Sequence, residues 1–306
     1  MRRPPSGGQI EVASGDWRLT VVEVGGGIRT LRHRDWDVLD GYPLGRMCHG
    51  ARGQPLIPWP NRIDQGRYTF DGQSFQLALT EPSRSGAIHG LTRWSRWSVL
   101  DRGAASIVMA YTLDPQPGYP FSLALELHYH LGDDGLVVRT TAENVGDARC
   151  PFGVGFHPYF SCGDAHVDAS LLHVPAAEYL LTDSRGIPKG RSPVEGSPVD
   201  FRSLRPIGAL ALDHSFASLR RDLDGRSRVR LVSADERRRI AVWLDESYRY
   251  VEIFSGDTLP EGERRRGLGV EPMTCPPNAF ATGEAVRALE PGESWQCAWG
   301  VVAENP

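Results

Sequence analysis

No stretch of the chain keeps a 3.6-residue apolar period for roughly a dozen residues, which excludes long packed helices. What the chain offers instead is period-two alternation. "GRYTFDGQSFQLAL" alternates on both sides of Asp71-Gly72, a dipeptide suited to the type I′ turn of a hairpin. "SIVMAYTL", "FSLALELHYHL" and "GLVVRTTAENVG" are three further runs with alternation or β-branched enrichment. "RRRIAVWLDESYRYVEIFSG" reads as two strands and "SWQCAWGVVAEN" as a closing one. The 34 glycines and 23 prolines are spread as turn punctuation, with no linker and no fixed-period repeat. The expectation is an all-β fold: one large antiparallel β-sandwich with few short helices, spanning residues 1–306 as a single domain.

Composition narrows the function. A formal net charge of −4 and a pI near 6.1 oppose nucleic-acid binding, which calls for a basic surface. Lys189 is the only lysine, so Schiff-base chemistry has one candidate, in a loop-like "SRGIPKGRSP". "MRRPPSGGQIEVASGDW" has no apolar h-region, and no apolar run reaches the roughly 18 residues of a membrane span. Five scattered cysteines without a CxxC pair suggest free thiols in a cytoplasmic protein. Cys275 is the one to weigh as a nucleophile, although no cationic partner or helix start lies beside it.

Five stretches hold polar residues in constrained settings. In "EPMTCPPNAF", Glu271 precedes a proline and two more follow, so its backbone has few accessible states. "IPWPNRI" sets Arg62 beside two prolines, "AIHG" places His89 before a glycine, "GVGFHPYF" sets His157 among aromatics, and "LDHSF" carries Asp213. Each has a plain structural explanation: an ion-paired arginine, a loop or core histidine, a turn aspartate. Together they supply an acid–base pair with supporting charges. His128 and His130 share one face of a strand, as two zinc ligands would, but no third ligand is near in sequence. No Walker loop, GxGxxG context or G-x-S-x-G elbow is present.

Taken in order, these stretches resemble the aldose 1-epimerase (galactose mutarotase) family, from Val22-Glu23-Val24-Gly25 through "PWPNRI", "GRYTFDGQSFQL", "AIHGL", "GFHPYF" and "LDHSF" to "EPMTCPPNAF". The resemblance implies a galactose mutarotase-like supersandwich, with a monosaccharide site that needs no metal and no cofactor on its concave face. It implies His157 as general acid, Glu271 as general base, and Arg62, His89 and Asp213 as residues that hold the sugar. A protonated histidine and an ionised glutamate suit the chemistry, and Asp213 near His157 would favour the imidazolium. Trp59, Trp94 and Tyr159 are candidates for a stacking wall.

Some residues depart from the galactose-specific pattern. "GFHPYFS" lacks asparagines around the histidine, and Glu252 stands where some relatives have a glutamine. The motif forms look closer to a less characterised bacterial branch, which includes sulfosugar mutarotases. Arg84, Arg93 and Arg96 flank His89 and are either surface charges or contacts for an anionic substituent. The rival functions are a non-catalytic sugar-binding or regulatory protein and a glycoside hydrolase pairing Glu271 with Asp213 or Glu252. No membrane or nucleic-acid partner is expected, and a homodimer is left open.

Overall fold

The computed structural model describes residues 3–304, so the outermost two residues at each end of the expected 1–306 domain lie outside the described residues. Strands hold 48% of the residues and helix 2%, and every pairing between the strands is antiparallel. Two large sheets dominate. The first has nine strands in the order Ser98–Arg102, Ser106–Leu113, Leu123–Leu131, Gly135–Asn144, Ser294–Glu304, Arg239–Leu244, Ser227–Val232, Leu171–His173, Arg205–Pro206. The second runs Pro188–Pro193, Ala176–Thr182, Asp213–Leu219, Tyr250–Phe254, Leu268–Met273, Gly155–Phe156, Pro55–Leu56, with Tyr159–Phe160 also paired to Leu268–Met273. A four-stranded sheet, Gln9 to Asp37, precedes them. The one α-helix among the described residues is Ala279–Thr282.

Alternation explains which faces meet. Along Leu123–Leu131 the apolar Leu123, Leu125, Leu127, Tyr129 and Leu131 are buried while Glu126 and His128 are partly exposed. Opposite them, Phe216, Val251, Ile253, Leu268 and Val270 of the second sheet enter the same core. Phe156 meets Trp299 across the gap with ring centroids 5.2 Å apart, an aromatic contact of the kind that dominates core energetics. The expected hairpin forms as Arg67–Phe70 and Gln73–Gln76, and its turn residues Asp71 and Gly72 take φ of 46° and 76°. Those two positive values are what a type I′ turn demands.

The same period of two dictates the site. With Val251, Ile253 and Val270 in the core, the intervening Glu252 and Glu271 point to the opposite face of the second sheet. Ser215 joins them from the next strand, because Phe216 is its core-facing neighbour. Register then aligns the three: Ser215 pairs with Glu252, and Glu252 with Glu271.

Candidate active site

Glu271 sits in the middle of Leu268–Met273, buried among neighbours on both edges, so its backbone is fixed by two ladders. His157 lies in the short link between Gly155–Phe156 and Tyr159–Phe160, both paired to that same strand. Its own backbone is tied to the 53–54 segment: its N–H donates to the Gln54 carbonyl and its carbonyl accepts from Gly53 N–H. The outcome is a direct contact, His157 Nε2 to Glu271 Oε1 at 3.1 Å. The remaining polar atoms of the pair, His157 Nδ1 and Glu271 Oε2, are buried without a partner. Buried polar atoms of this kind are costly and call for an explanation such as a ligand or catalytic role.

A cleft of about 260 Å³ opens over this pair. All five residues singled out from sequence line it: Arg62, His89, His157, Asp213 and Glu271. His89 has φ of 62°, and its ring meets His157 edge to face at 5.3 Å. Gly90 lets the chain turn there, since a Cβ on it would lie 2.0 Å from the Ile57 carbonyl oxygen. Arg62 is held by a bidentate pair to Glu81, with Nε to Oε2 at 2.7 Å and Nη2 to Oε1 at 3.1 Å. A forked pair of this geometry fixes the guanidinium plane.

The structure divides the other candidates. Tyr159 lines the cleft and stacks on His157, with centroids 5.0 Å apart. Trp59 does not: it is buried in the core against Phe280. Trp94 is 54% exposed and absent from the cleft lining, beneath the Arg93 guanidinium. Of the three arginines, Arg84 and Arg93 line the cleft, whereas Arg96 pairs with Glu23 elsewhere. Cys275 is buried, and burial pushes its thiol up to about 12, so it stays protonated. His128 pairs with Glu126 at 2.9 Å. Among the described residues, no group of three or more His, Cys, Asp or Glu side chains stands where it could share a metal ion.

Charge states differ from the simple expectation. Burial, reinforced by Arg93, Arg52 and Arg62, pushes His157 down to about 3, so the imidazole is neutral at pH 7. Asp213 shares the cleft but does not overcome that balance. Burial also lifts Glu271 well above the usual carboxylate range, with Glu252 and Asp213 adding to the rise and Arg62 opposing it. Low surrounding polarity disfavours both charged forms. Glu252, buried and hydrogen-bonded to Ser215, is raised to about 8 by burial and then by Asp213. His89 is held well below its ordinary value, chiefly by burial.

Sequence reasoning missed Glu81, Ser215 and Phe254. Glu81 lies 19 positions from Arg62, and no local pattern marks it. Period-two alternation around "HSFASL" and "YVEIFSG" carried a usable signal for Ser215 and Phe254, once the core-facing residues were assigned.

Fold and cleft together define an all-β protein of the galactose mutarotase-like kind. The family model for aldose 1-epimerase matches residues 8–299, and the chain belongs to that family. It is 35% identical to the uncharacterized protein YihR of Escherichia coli K12 over 94% of this chain and 91% of that one. It is 29% identical to the aldose 1-epimerase of the same bacterium, covering 79% and 77% of the two chains. Among solved structures, a GalM/aldose epimerase homologue from C. elegans superimposes with a TM-score of 0.87 at 18% identity, covering 97% of this chain and 99% of that one.

Proposed function

We propose that the protein is a mutarotase that interconverts the α and β anomers of a free aldose. The observation that carries this reading is the buried contact between His157 and Glu271, with an unpartnered polar atom on each. Glu271 takes the proton from the O1 hydroxyl while His157 gives one to the ring oxygen. The C1–O5 bond breaks, C1–O1 becomes a carbonyl, rotation about C1–C2 exposes the other face, and the reverse transfers close the ring. Each proton transfer is worth roughly 10²- to 10⁴-fold.

The free pair rests as imidazole and carboxylic acid, so ring opening in these roles needs the shared proton to pass first from Glu271 to His157 across their 3.1 Å contact. Imidazolium with carboxylate, and imidazole with carboxylic acid, each hold one shared proton. Ring opening converts the first arrangement into the second and closure restores the first, so no net proton is exchanged with solvent. Burial favours the uncharged arrangement, which is the one ring opening produces. Arg62, His89 and Asp213 hold the sugar hydroxyls, and Glu252, its carboxyl pushed up by burial and by Asp213, serves as an additional donor or acceptor.

The test is anomer exchange by NMR on glucose, galactose, glucuronate, a 6-phosphate and a 6-sulfonate, with the spontaneous rate subtracted. Exchange that is lost in both Glu271→Gln and His157→Asn supports the reading. Background exchange on every sugar, with binding retained, would favour a sugar-binding protein. Phenol release from an aryl glycoside would favour a hydrolase built on Glu271 and a second carboxyl.

A further inference from the structure

Behind the wall of the cleft lies a cation that the reaction described above does not use. Arg52 is 2% exposed and does not line the cleft. Its Nη2 donates to Asp40 Oδ2 at 3.2 Å, and the other Asp40 oxygen accepts from Arg266 Nη2 at 2.6 Å. Its Nη1 stands 3.7 Å from Glu263 Oε2, and its Nε is buried without a partner. The guanidinium lies over the Tyr159 ring, 4.7 Å from the centroid. The same ring stacks on His157 with an interplanar angle of 17°, and the phenol OH donates to the Gly50 carbonyl at 2.9 Å. Tyr159 therefore touches both the guanidinium, which Asp40 anchors, and the imidazole.

We propose that Arg52 is a positioning residue for His157: through Tyr159 it fixes the plane of the imidazole, and its charge biases the shared proton toward Glu271. An ammonium in its place would keep the charge but lose the flat, stackable fork. The groups facing His157 are Glu271 at 3.1 Å, His89 edge-on, Tyr159 behind, and the cations Arg93, Arg52 and Arg62; Asp213 and Glu252 share the cleft. Arg52 alone among these cations is absent from the cleft lining, so its effect can be varied without touching the sugar.

The catalytic part of this inference rests on the mutarotase reading, so the experiment has one readout that needs no substrate. The side-chain nitrogen shifts of His157 are followed by NMR as the pH is lowered from 7 to about 3 in wild type, Arg52→Gln, Arg52→Lys and Asp40→Asn. Loss of the cation raises the pH at which they turn toward imidazolium in Arg52→Gln, and Arg52→Lys restores it. Asp40→Asn, which removes the anion offsetting Arg52, lowers it. Anomer exchange is then measured against pH. Both limbs of the Arg52→Gln profile rise by on the order of half a pH unit, and kcat falls about 10-fold with KM little changed. Arg52→Lys keeps the limbs in place and recovers only part of kcat.

An unmoved nitrogen-shift titration in folded Arg52→Gln overturns the inference, as does a rise in KM at constant kcat. Should Arg52→Gln fail to fold, Asp40→Asn decides, and an unmoved titration there overturns it equally. Wild-type exchange at background on every sugar would sink the mutarotase reading alone, leaving the nitrogen shifts to decide the role of Arg52.

Discussion

A histidine and a glutamate that share one proton cannot be removed independently. Glu271→Gln and His157→Asn are each expected to lower kcat by about 10²- to 10⁴-fold. The double variant should cost about as much as the worse single one, because either loss already disables both transfers. Multiplicative losses in stopped-flow polarimetry would show that the two act separately. Glu252 gives a second prediction. Its folded value of about 8 lies above its ordinary 4.5, so between those values the folded state holds the extra proton. Stability contributed by this group is complete at low pH and is lost as pH rises through that window. Glu252→Gln should therefore raise Tm relative to wild type at pH 8, with a gain that shrinks toward pH 5. A constant difference across that range in thermal melts would reject the assignment. The five site residues were legible because each sits in a locally odd setting, a proline, glycine or aromatic neighbourhood that a surface residue does not need. Glu81 and Arg52 were not legible, since their importance comes only from distant partners: Arg62 across 19 positions, and Tyr159 across the sheet.

The "EPMTCPPNAF" stretch shows its logic as an element. Its first three residues end the strand Leu268–Met273, and the rest turns back toward the strand that carries Arg62. Asn278 makes that join: its N–H donates to the Arg62 carbonyl at 2.6 Å, and its side-chain oxygen accepts from Asp64 N–H at 2.9 Å. It does so with φ of 64°, a conformation asparagine tolerates better than most residues. Asn278→Gly keeps the conformation but drops the side-chain bond, at a cost of roughly 1 kcal/mol. Asn278→Ala loses the bond and adds left-handed strain of about another 1–2 kcal/mol. Both should raise KM through Arg62 while leaving kcat nearly intact. Equal stability of the two in urea denaturation would show that backbone conformation is not what selects asparagine. The long strands were readable because they alternate cleanly; "SIVMAYTL" coincides with Ser106–Leu113. Two-residue strands such as Gly155–Phe156 and Tyr159–Phe160 carry no period, and pairing to Leu268–Met273 defines them.

The cleft is built from residues 50 to 271, and its two catalytic candidates hang on one strand in the second sheet. The cluster that belongs to that sheet alone is small, formed by Ala217, Tyr250 and Met273. Val251, Ile253 and Val270 bury their side chains in the same cluster as Leu125, Val138 and Trp299 of the nine-stranded sheet. The nine-stranded sheet in turn depends on the closing strand Ser294–Glu304, which pairs with Gly135–Asn144 on one side and Arg239–Leu244 on the other. Neither half of the sequence can bury its apolar face without the other, and sheets with an exposed apolar face are unstable alone. We therefore propose that the whole chain folds as one domain, and the prediction is a single cooperative transition. Tryptophan fluorescence, far-UV circular dichroism and anomer exchange should all be lost at the same urea concentration. Trp17 of the N-terminal four-stranded sheet belongs to that cluster too, so its unfolding should report the same midpoint. A separate earlier transition in fluorescence, weakened in Trp17→Phe, would show instead that the Gln9–Asp37 sheet unfolds on its own.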